Sequence, residues 1–308
     1  MGDIKVLIVD FNAIRRFHTD KSSIGNIVMN TAQRFSLKRA VAAETAQTCS
    51  DYLAEHAGLS KGKVKDAMAK GAVWLGRQGG KRRRLRRATT VLQRGDVLEL
   101  YYDEALLRIE PPVAHCVDDQ RRYSVWFKPA GLMAQGTEYG DHCALLRQVE
   151  NYFHPRRPVF VVHRLDREAA GLMLIAHDGR AAAQLSALFR EHRITKQYRV
   201  RVCGEVKLRQ GEIDLPLDGK PALTRYAVVA YDSSTRITTL EVNIATGRLH
   251  QIRRHFAMIG HGVMGDPRYG AGNKNRDGLQ LEATGLRFRC PFSGRDMVYS
   301  GHDIFTKT

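Results

Sequence analysis

From residue 113 onward the chain carries short apolar runs at irregular intervals: Tyr123–Phe127, Phe160–Val162, Leu172–Ala176, Tyr198–Val202, Thr224–Tyr231 and Thr238–Ile244. Runs of this length, bounded by polar and turn-forming residues, read as strands. The segments between them vary in length, so the βαβ rhythm of a doubly wound sheet is missing and an α+β fold is expected. The longest apolar stretches, such as Val159–Val162 and Gly171–Ala176, fall far short of the ~18 residues of a membrane span. Asp3 stands where a secretory leader carries positive charge, and no long apolar segment follows. Five scattered cysteines, an odd number, suit reduced thiols better than a disulfide framework. A cytoplasmic monomer with no membrane partner is the expectation.

Charge is the second constraint. The 308 residues hold 49 Lys+Arg against 32 Asp+Glu, a net charge of +17. Residues 61–94 alone contain 12 bases and one acid, Asp66, densest at Lys81-Arg82-Arg83-Arg84-Leu85-Arg86-Arg87. Like charges this close repel unless an anion neutralises them, and a polyphosphate does so while releasing counterions. Nucleic acid is therefore the expected partner, with a solvated basic loop or an anionic membrane surface as alternatives.

The residues around this cluster have a recognisable order. Thr48–His56 and Lys61–Lys70 read as helices, the second capped by Ser60 and closed by Gly71. Ala72–Leu75 reads as a strand, and the Gly95-Asp96 turn leads into an antiparallel strand, Val97–Tyr101. The layout resembles the alpha-L RNA-binding module of ribosomal and tRNA-binding proteins. The resemblance implies that Lys61, Lys63, Lys65, Arg82, Arg83 and Arg84 face RNA. Upstream, Lys5–Asp10 suits a buried strand or part of a flexible extension; downstream, Pro111-Pro112 marks a linker. The expected division is 1–43 as an unassigned extension, 44–110 as the RNA-binding module and 111–308 as a catalytic domain.

Three segments set charged residues directly beside apolar strands. Val162-His163-Arg164-Leu165-Asp166-Arg167 runs toward Gly171–Ala176; Lys196-Gln197-Tyr198 opens a strand; and Thr246-Gly247-Arg248-Leu249-His250-Gln251-Ile252-Arg253 precedes Gly265-Asp266-Pro267-Arg268-Tyr269-Gly270. Arg164 and Arg167, flanking Asp166, are expected to favour its carboxylate form. His163 and His250 could serve as an acid–base pair or as metal ligands. No third ligand accompanies them at metal spacing, so hydrogen-bonding roles are favoured. Gly265 and Gly270 suit a turn rather than a phosphate loop, which would need a helix start and a GK[ST] ending.

Taken in order, HRLD before a glycine and an apolar strand, KxY about thirty residues on, TGRxHQIR and GDxxYG resemble the RluA-type pseudouridine synthases. Phe127–Leu132 upstream and Leu286-Arg287-Phe288 with Pro291-Phe292-Ser293-Gly294 downstream fit the same pattern. The resemblance implies a small α/β RNA-binding module followed by a mixed, largely antiparallel-sheet domain that isomerises uridine in RNA without cofactor or metal. A helical base cannot be reached in place, so the nucleotide must be flipped out. Asp166 matches the catalytic aspartate, Arg253 the arginine paired with it, and Tyr198 the active-site tyrosine. Arg164 matches the residue that fills the space left by the flipped base, and Ile252 the apolar wall under the uracil. His163 and Arg248 join them as substrate-binding residues. Ala169-Ala170 departs from the family's Thr-Ser and removes two hydroxyls from the loop, which implies altered support there. An appended alpha-L module implies ribosomal RNA as the substrate, with tRNA as the alternative. The Ala-Ala departure also leaves open a catalytically silent RNA-binding or ribosome-assembly factor. A glycosidase would need a second carboxylate in a matching motif.

Overall fold

The computed structural model describes residues 4–9, 33–42, 46–78, 80–270, 273 and 275–301. The described chain forms two units, one from residues 33–112 and 135–154, the other from 4–9, 113–134 and 155–301. The first strand, β1 (Ile4–Val9), belongs to the larger unit, where it pairs in parallel with the last, β15 (Asp296–Gly301). The remainder of the expected extension up to residue 32 lies outside the described residues.

In the smaller unit, β2 (Arg34–Ala40), β3 (Val73–Gly76), β4 (Arg83–Arg84) and β5 (Val97–Asp103) form an antiparallel sheet in the order β2-β5-β3-β4. Helix α1 (Cys49–Ala57) starts at Thr48, whose hydroxyl accepts the Asp51 N–H at 3.3 Å. Helix α2 (Lys61–Ala69) starts at Ser60, whose hydroxyl accepts the Lys63 N–H at 3.3 Å. Both caps satisfy amide donors that the first helical turn leaves free. Leu53, Val64, Met68, Leu75, Leu98 and Leu100 join helices and sheet in one core. Two further helices, α3 (Glu104–Leu107) and α4 (Leu145–Tyr152), complete the unit.

Two boundaries move relative to the sequence reading. Strand β2 pairs along its whole length with β5, although residues 34–40 were expected to fall in the extension. Only Phe35 and Leu37 of that strand pack on the core, so its apolar signal is weak. Residues 135–154 also sit in the smaller unit, because Arg82, Arg84 and Arg86 form ion pairs with Glu138 and Asp141.

The larger unit is an eleven-stranded, mostly antiparallel sheet. Its strands are β1, β6 (His115–Asp119), β7 (Tyr123–Lys128), β8 (Phe160–Val161), β9 (Ala170–Ala176), β10 (Thr195–Cys203), β11 (Gln210–Asp214), β12 (Leu223–Asp232), β13 (Ile237–Ile244), β14 (Leu281–Arg289) and β15. The main order is β11-β12-β13-β10-β14-β9-β7-β6, with β15 beside β14 and β8 beside β9. All seven residues of β9 are buried, as befits a strand covered on both faces. Helix α5 (Gly179–Arg190) contributes Ala181, Leu185 and Leu188 to the core it shares with β7, β9 and β14, a spacing of one helical face. Helix α6 (Gln251–Met258) buries Ile252, Arg253, His255 and Phe256. No helix among the described residues is long and apolar enough to cross a membrane.

Candidate active site

Two parallel pairings, Glu282 with Ala170 and Ala283 with Gly171, join β14 to β9 and thereby link the two arms of the sheet. The loop entering β9 carries Asp166, while β10, on the other side of β14, carries Tyr198. A bulge in the β10–β14 pairing falls between Gln197 and Tyr198, the kind of irregularity that re-aims a side chain. Asp166 and Tyr198 line one cavity of about 720 Å³, as do Arg253, Arg164, Ile252, His163 and Arg248. All seven residues expected to act on the nucleotide are therefore brought together.

Arg253 organises this cavity. It lies on the buried face of α6, and its side chain is only 2% exposed, so its charge requires partners. Its Nε and Nη2 donate to Oδ2 and Oδ1 of Asp266, each at 2.8 Å, and its Nη1 donates to Asp166 Oδ2 at 2.9 Å. A second carboxylate, Glu168, lies 3.7 Å from Nη1. The cation serving Asp166 is thus Arg253, the partner that the resemblance implies, and not the flanking arginines: Arg164 is exposed and Arg167 pairs with Glu168.

Burial opposes charge on Asp266, but its bonds to Arg253 and to the Arg268 and Tyr269 N–H groups outweigh it and hold the carboxyl below its usual range. Burial, with help from Asp166, raises the Tyr198 pKa, so its hydroxyl stays protonated. Burial next to Lys196 drives the His163 pKa down to about 3, while its Nε2 accepts the Leu174 N–H at 2.8 Å and its ring stacks on Phe189. His163 is a neutral acceptor in the cavity wall, in keeping with a hydrogen-bonding role. Arg248 donates through Nε to the Pro221 carbonyl at 3.0 Å. Gln251 ties the loop before α6 to the sheet: its Oε1 accepts from Thr246 Oγ1 and Arg248 N, and its Nε2 donates to Leu223 O and Thr224 Oγ1.

Lys128, at the end of β7, supports the Asp166 loop from below. Its fully buried ammonium donates to the carbonyls of Ala169 and Leu132 at 2.6 and 2.7 Å, and lies within reach of those of Pro129 and Arg167. Burial pushes its pKa down to about 7 against the pull of Asp166 and Glu168. Ala169 and Ala170 are themselves buried, and Lys128 holds the loop where Ala169 lacks a hydroxyl. Lys128, Asp266 and Gln251 each lie inside a recognised motif, but a motif does not say which of its residues face one another.

In the smaller unit the expected RNA-facing residues divide. Lys61, Lys63, Lys65 and Arg83 are exposed. Lys61 pairs with Asp51 at 2.6 Å and Lys63 with Glu104 at 3.4 Å. Arg82 and Arg84 stack over Trp74, 4.9 and 4.3 Å from its ring centroid. Arg82 pairs with Glu99 and Glu138, and Arg84 with Asp141 at 3.2 Å. Internal acids therefore neutralise part of the basic run that was expected to need an external anion.

Residues 122–258 match the RNA pseudouridylate synthase family. An uncharacterised RNA pseudouridine synthase of Aquifex aeolicus is 37% identical over 185 residues, which cover 56% of this chain and 55% of that protein. The dual-specificity RNA pseudouridine synthase RluA of Pasteurella multocida is 30% identical over 226 residues, 65% of this chain and 100% of that one. Human RNA pseudouridylate synthase domain containing 1 shares the fold at 23% identity, with a TM-score of 0.54 over 64% of this chain and 88% of that one. Fold, site and relatives together define an RNA pseudouridine synthase by family. Within that class the chain belongs to the RluA-type family, while spanning only about half the length of the Aquifex relative.

Proposed function

We propose that the protein converts particular uridines in structured RNA to pseudouridine, with ribosomal RNA as the favoured substrate and tRNA as the second. The reaction breaks the bond from uracil N1 to ribose C1′, joins C5 to C1′, releases the C5 proton and protonates N1. The observation that carries this reading is the Asp166 carboxylate, held at 2.9 Å by a buried arginine in the wall of a cavity that Tyr198 and Ile252 also line. A carboxylate there can act at the sugar while the base stays in the cavity. Tyr198, kept protonated, serves as a stacking surface and hydroxyl donor, and Ile252 as an apolar wall. Arg164, exposed at the cavity edge, occupies the space left in the RNA stack. Relatives named for the large ribosomal subunit and for tRNA both occur, and the exposed bases Lys65 and Arg83 suit either RNA.

The test is to map carbodiimide-dependent reverse-transcription stops in RNA from cells with and without the gene, and in transcripts treated with wild type or Asp166→Asn. Stops that depend on the gene and vanish with Asp166→Asn are expected. If wild type modifies no cellular RNA, the reading fails and a silent RNA-binding factor, suggested by Ala169-Ala170, takes its place.

A further inference from the structure

The groups that face the Asp166 carboxylate share one origin, Asp266. This aspartate is wholly buried and accepts four N–H groups. Two come from Arg253, and two from the backbone of Arg268 and Tyr269, at 2.8 and 3.1 Å. The first pair fixes the plane of the guanidinium. Asp266 takes the edge formed by Nε and Nη2, which leaves Nη1 aimed at Asp166 Oδ2. The second pair fixes the turn that carries Tyr269, whose hydroxyl lies 3.0 Å from His250 Nδ1. The other nitrogen of that ring, Nε2, lies 3.7 Å from Asp166 Oδ1.

His250 is a non-glycine residue at φ 52°, immediately before α6, a conformation that costs about 1 kcal/mol or more and needs support from its surroundings. Burial, together with Arg253 and Arg268, holds its pKa below the ordinary histidine value despite the nearby Asp166 carboxylate, so the ring carries one N–H. With that proton on Nδ1, a bare lone pair would point at the carboxylate, which is repulsive. With the proton on Nε2, the N–H dipole points at Asp166, and Nδ1 is free to accept from the Tyr269 hydroxyl.

The geometry points to Asp266 and Tyr269 as positioning residues: Asp266 orients Arg253, and Tyr269, by donating to Nδ1, reinforces the Nε2–H tautomer of His250 that the Asp166 carboxylate favours, so that each oxygen of Asp166 faces its own N–H donor. At 3.7 Å the Nε2–H faces Oδ1 as a dipole, longer than a hydrogen bond, as catalytic contacts often are before substrate binds. Glu168 also lies near Arg253, but Asp266 already holds that guanidinium on its other edge. The role in catalysis rests on the proposed pseudouridine synthesis; the arrangement itself does not.

The experiment therefore has two arms, both on the full chain. In the first, ¹⁵N-histidine NMR without RNA reads the His250 tautomer, assigned with a His250→Gln variant. Wild type is expected to carry the proton on Nε2, and Tyr269→Phe to show a larger Nδ1–H fraction while remaining folded. A proton on Nδ1 in wild type, or an unchanged tautomer population in Tyr269→Phe, overturns the inference. In the second, single-turnover release of tritium from C5-labelled uridine is measured on transcripts of the host's ribosomal RNA. Asp266→Asn is expected to slow release on the order of 100-fold, the scale of a misplaced reacting group, with RNA affinity unchanged. Tyr269→Phe is expected to slow it about tenfold, the worth of roughly one hydrogen bond. Asn at 266 keeps an Oδ1 that can accept the Arg268 and Tyr269 N–H groups, so in an Arg253→Gln background Asp266→Asn should cost nothing more; a further loss would mean that Asp266 does not act through Arg253. If Asp266→Asn does not fold, Tyr269→Phe still decides the His250 branch. If wild type itself releases no tritium, the proposed activity fails, while the tautomer result stands separately.

Discussion

Gly171 lies directly against Ala283, and that close approach is where the two arms of the large sheet meet. A Cβ built on Gly171 would stand 2.5 Å from the Ala283 nitrogen and closer still to its carbonyl oxygen. Its φ of +126° is also one that side chains resist. The strand containing Gly171 follows the Asp166 loop, and the strand containing Ala283 neighbours the one that carries Tyr198. The separation of the proposed nucleophile from the tyrosine thus depends on a missing methyl group. Gly171→Ala is expected to cost about 3 kcal/mol or more, from overpacking and backbone strain together, and to reduce RNA modification in the fraction that stays folded. Urea unfolding alongside tritium release checks both; wild-type stability in Gly171→Ala would show that the joint does not need the bare glycine.

Lys128→Met keeps most of the side chain's length but leaves the Ala169 and Leu132 carbonyls without their donor. Two unsatisfied buried acceptors cost about 3 kcal/mol in all. Because one of them belongs to the Asp166 loop, turnover is expected to fall while RNA affinity is retained. Denaturant midpoints and filter binding separate the two effects.

His163 makes stability depend on acid. Its pKa is about 3 in the folded protein, against roughly 6.5 when unfolded. Between those values the unfolded chain binds a proton that the folded chain refuses, so stability is full above pH 6.5 and declines as pH falls toward 3. The loss from this residue is about 2 kcal/mol at pH 5. His163→Phe should be less stable at pH 7.5, having lost the Leu174 bond, yet show a flatter decline between pH 7.5 and 5. Equilibrium unfolding at the two values is the measurement, and equal slopes would count against it.

Neighbouring arginines in the basic run should behave oppositely. Arg84 is 18% exposed, pairs with Asp141 and donates to the Gly71 and Thr137 carbonyls; Arg86 still pairs with Asp141 without it, so Arg84→Gln is expected to destabilise the protein by about 2 kcal/mol through the two carbonyls that lose their donor. Lys65→Gln with Arg83→Gln removes two exposed charges and should leave stability within about 0.5 kcal/mol. The same pair should lower the slope of log affinity against log salt by up to about 1.8, or about 0.9 for each phosphate that is no longer neutralised. Salt titrations and thermal unfolding of the variants distinguish the two classes.

Much of this was legible in the residues. The helices begun by Thr48 and Ser60 carry local signals, because a cap and its amide lie within three residues. The six expected strands of the larger unit form, being short apolar runs. The central strand Leu281–Arg289 was not anticipated as one, since Glu282, Gly285 and Arg287 interrupt its apolar signal. Its pairing with strands on both sides overrides that weak propensity. The basic run was legible as charge but not as structure: nothing local says that Glu99 and Asp141 turn inward to meet Arg82 and Arg84.

Read alone, the order of residues settled the α+β class, the motifs and the candidates Asp166, Tyr198 and Arg253, because each motif is a few residues long and keeps its meaning without its surroundings. The folded chain decided who partners whom. The motif resemblance implies the pairing of Asp166 with Arg253, 87 positions away, but only the fold reveals that Asp266 holds the other edge of that arginine and aims it. A buried guanidinium must find its counterions wherever the fold brings them, and that choice depends on distances in space, which sequence separation does not encode.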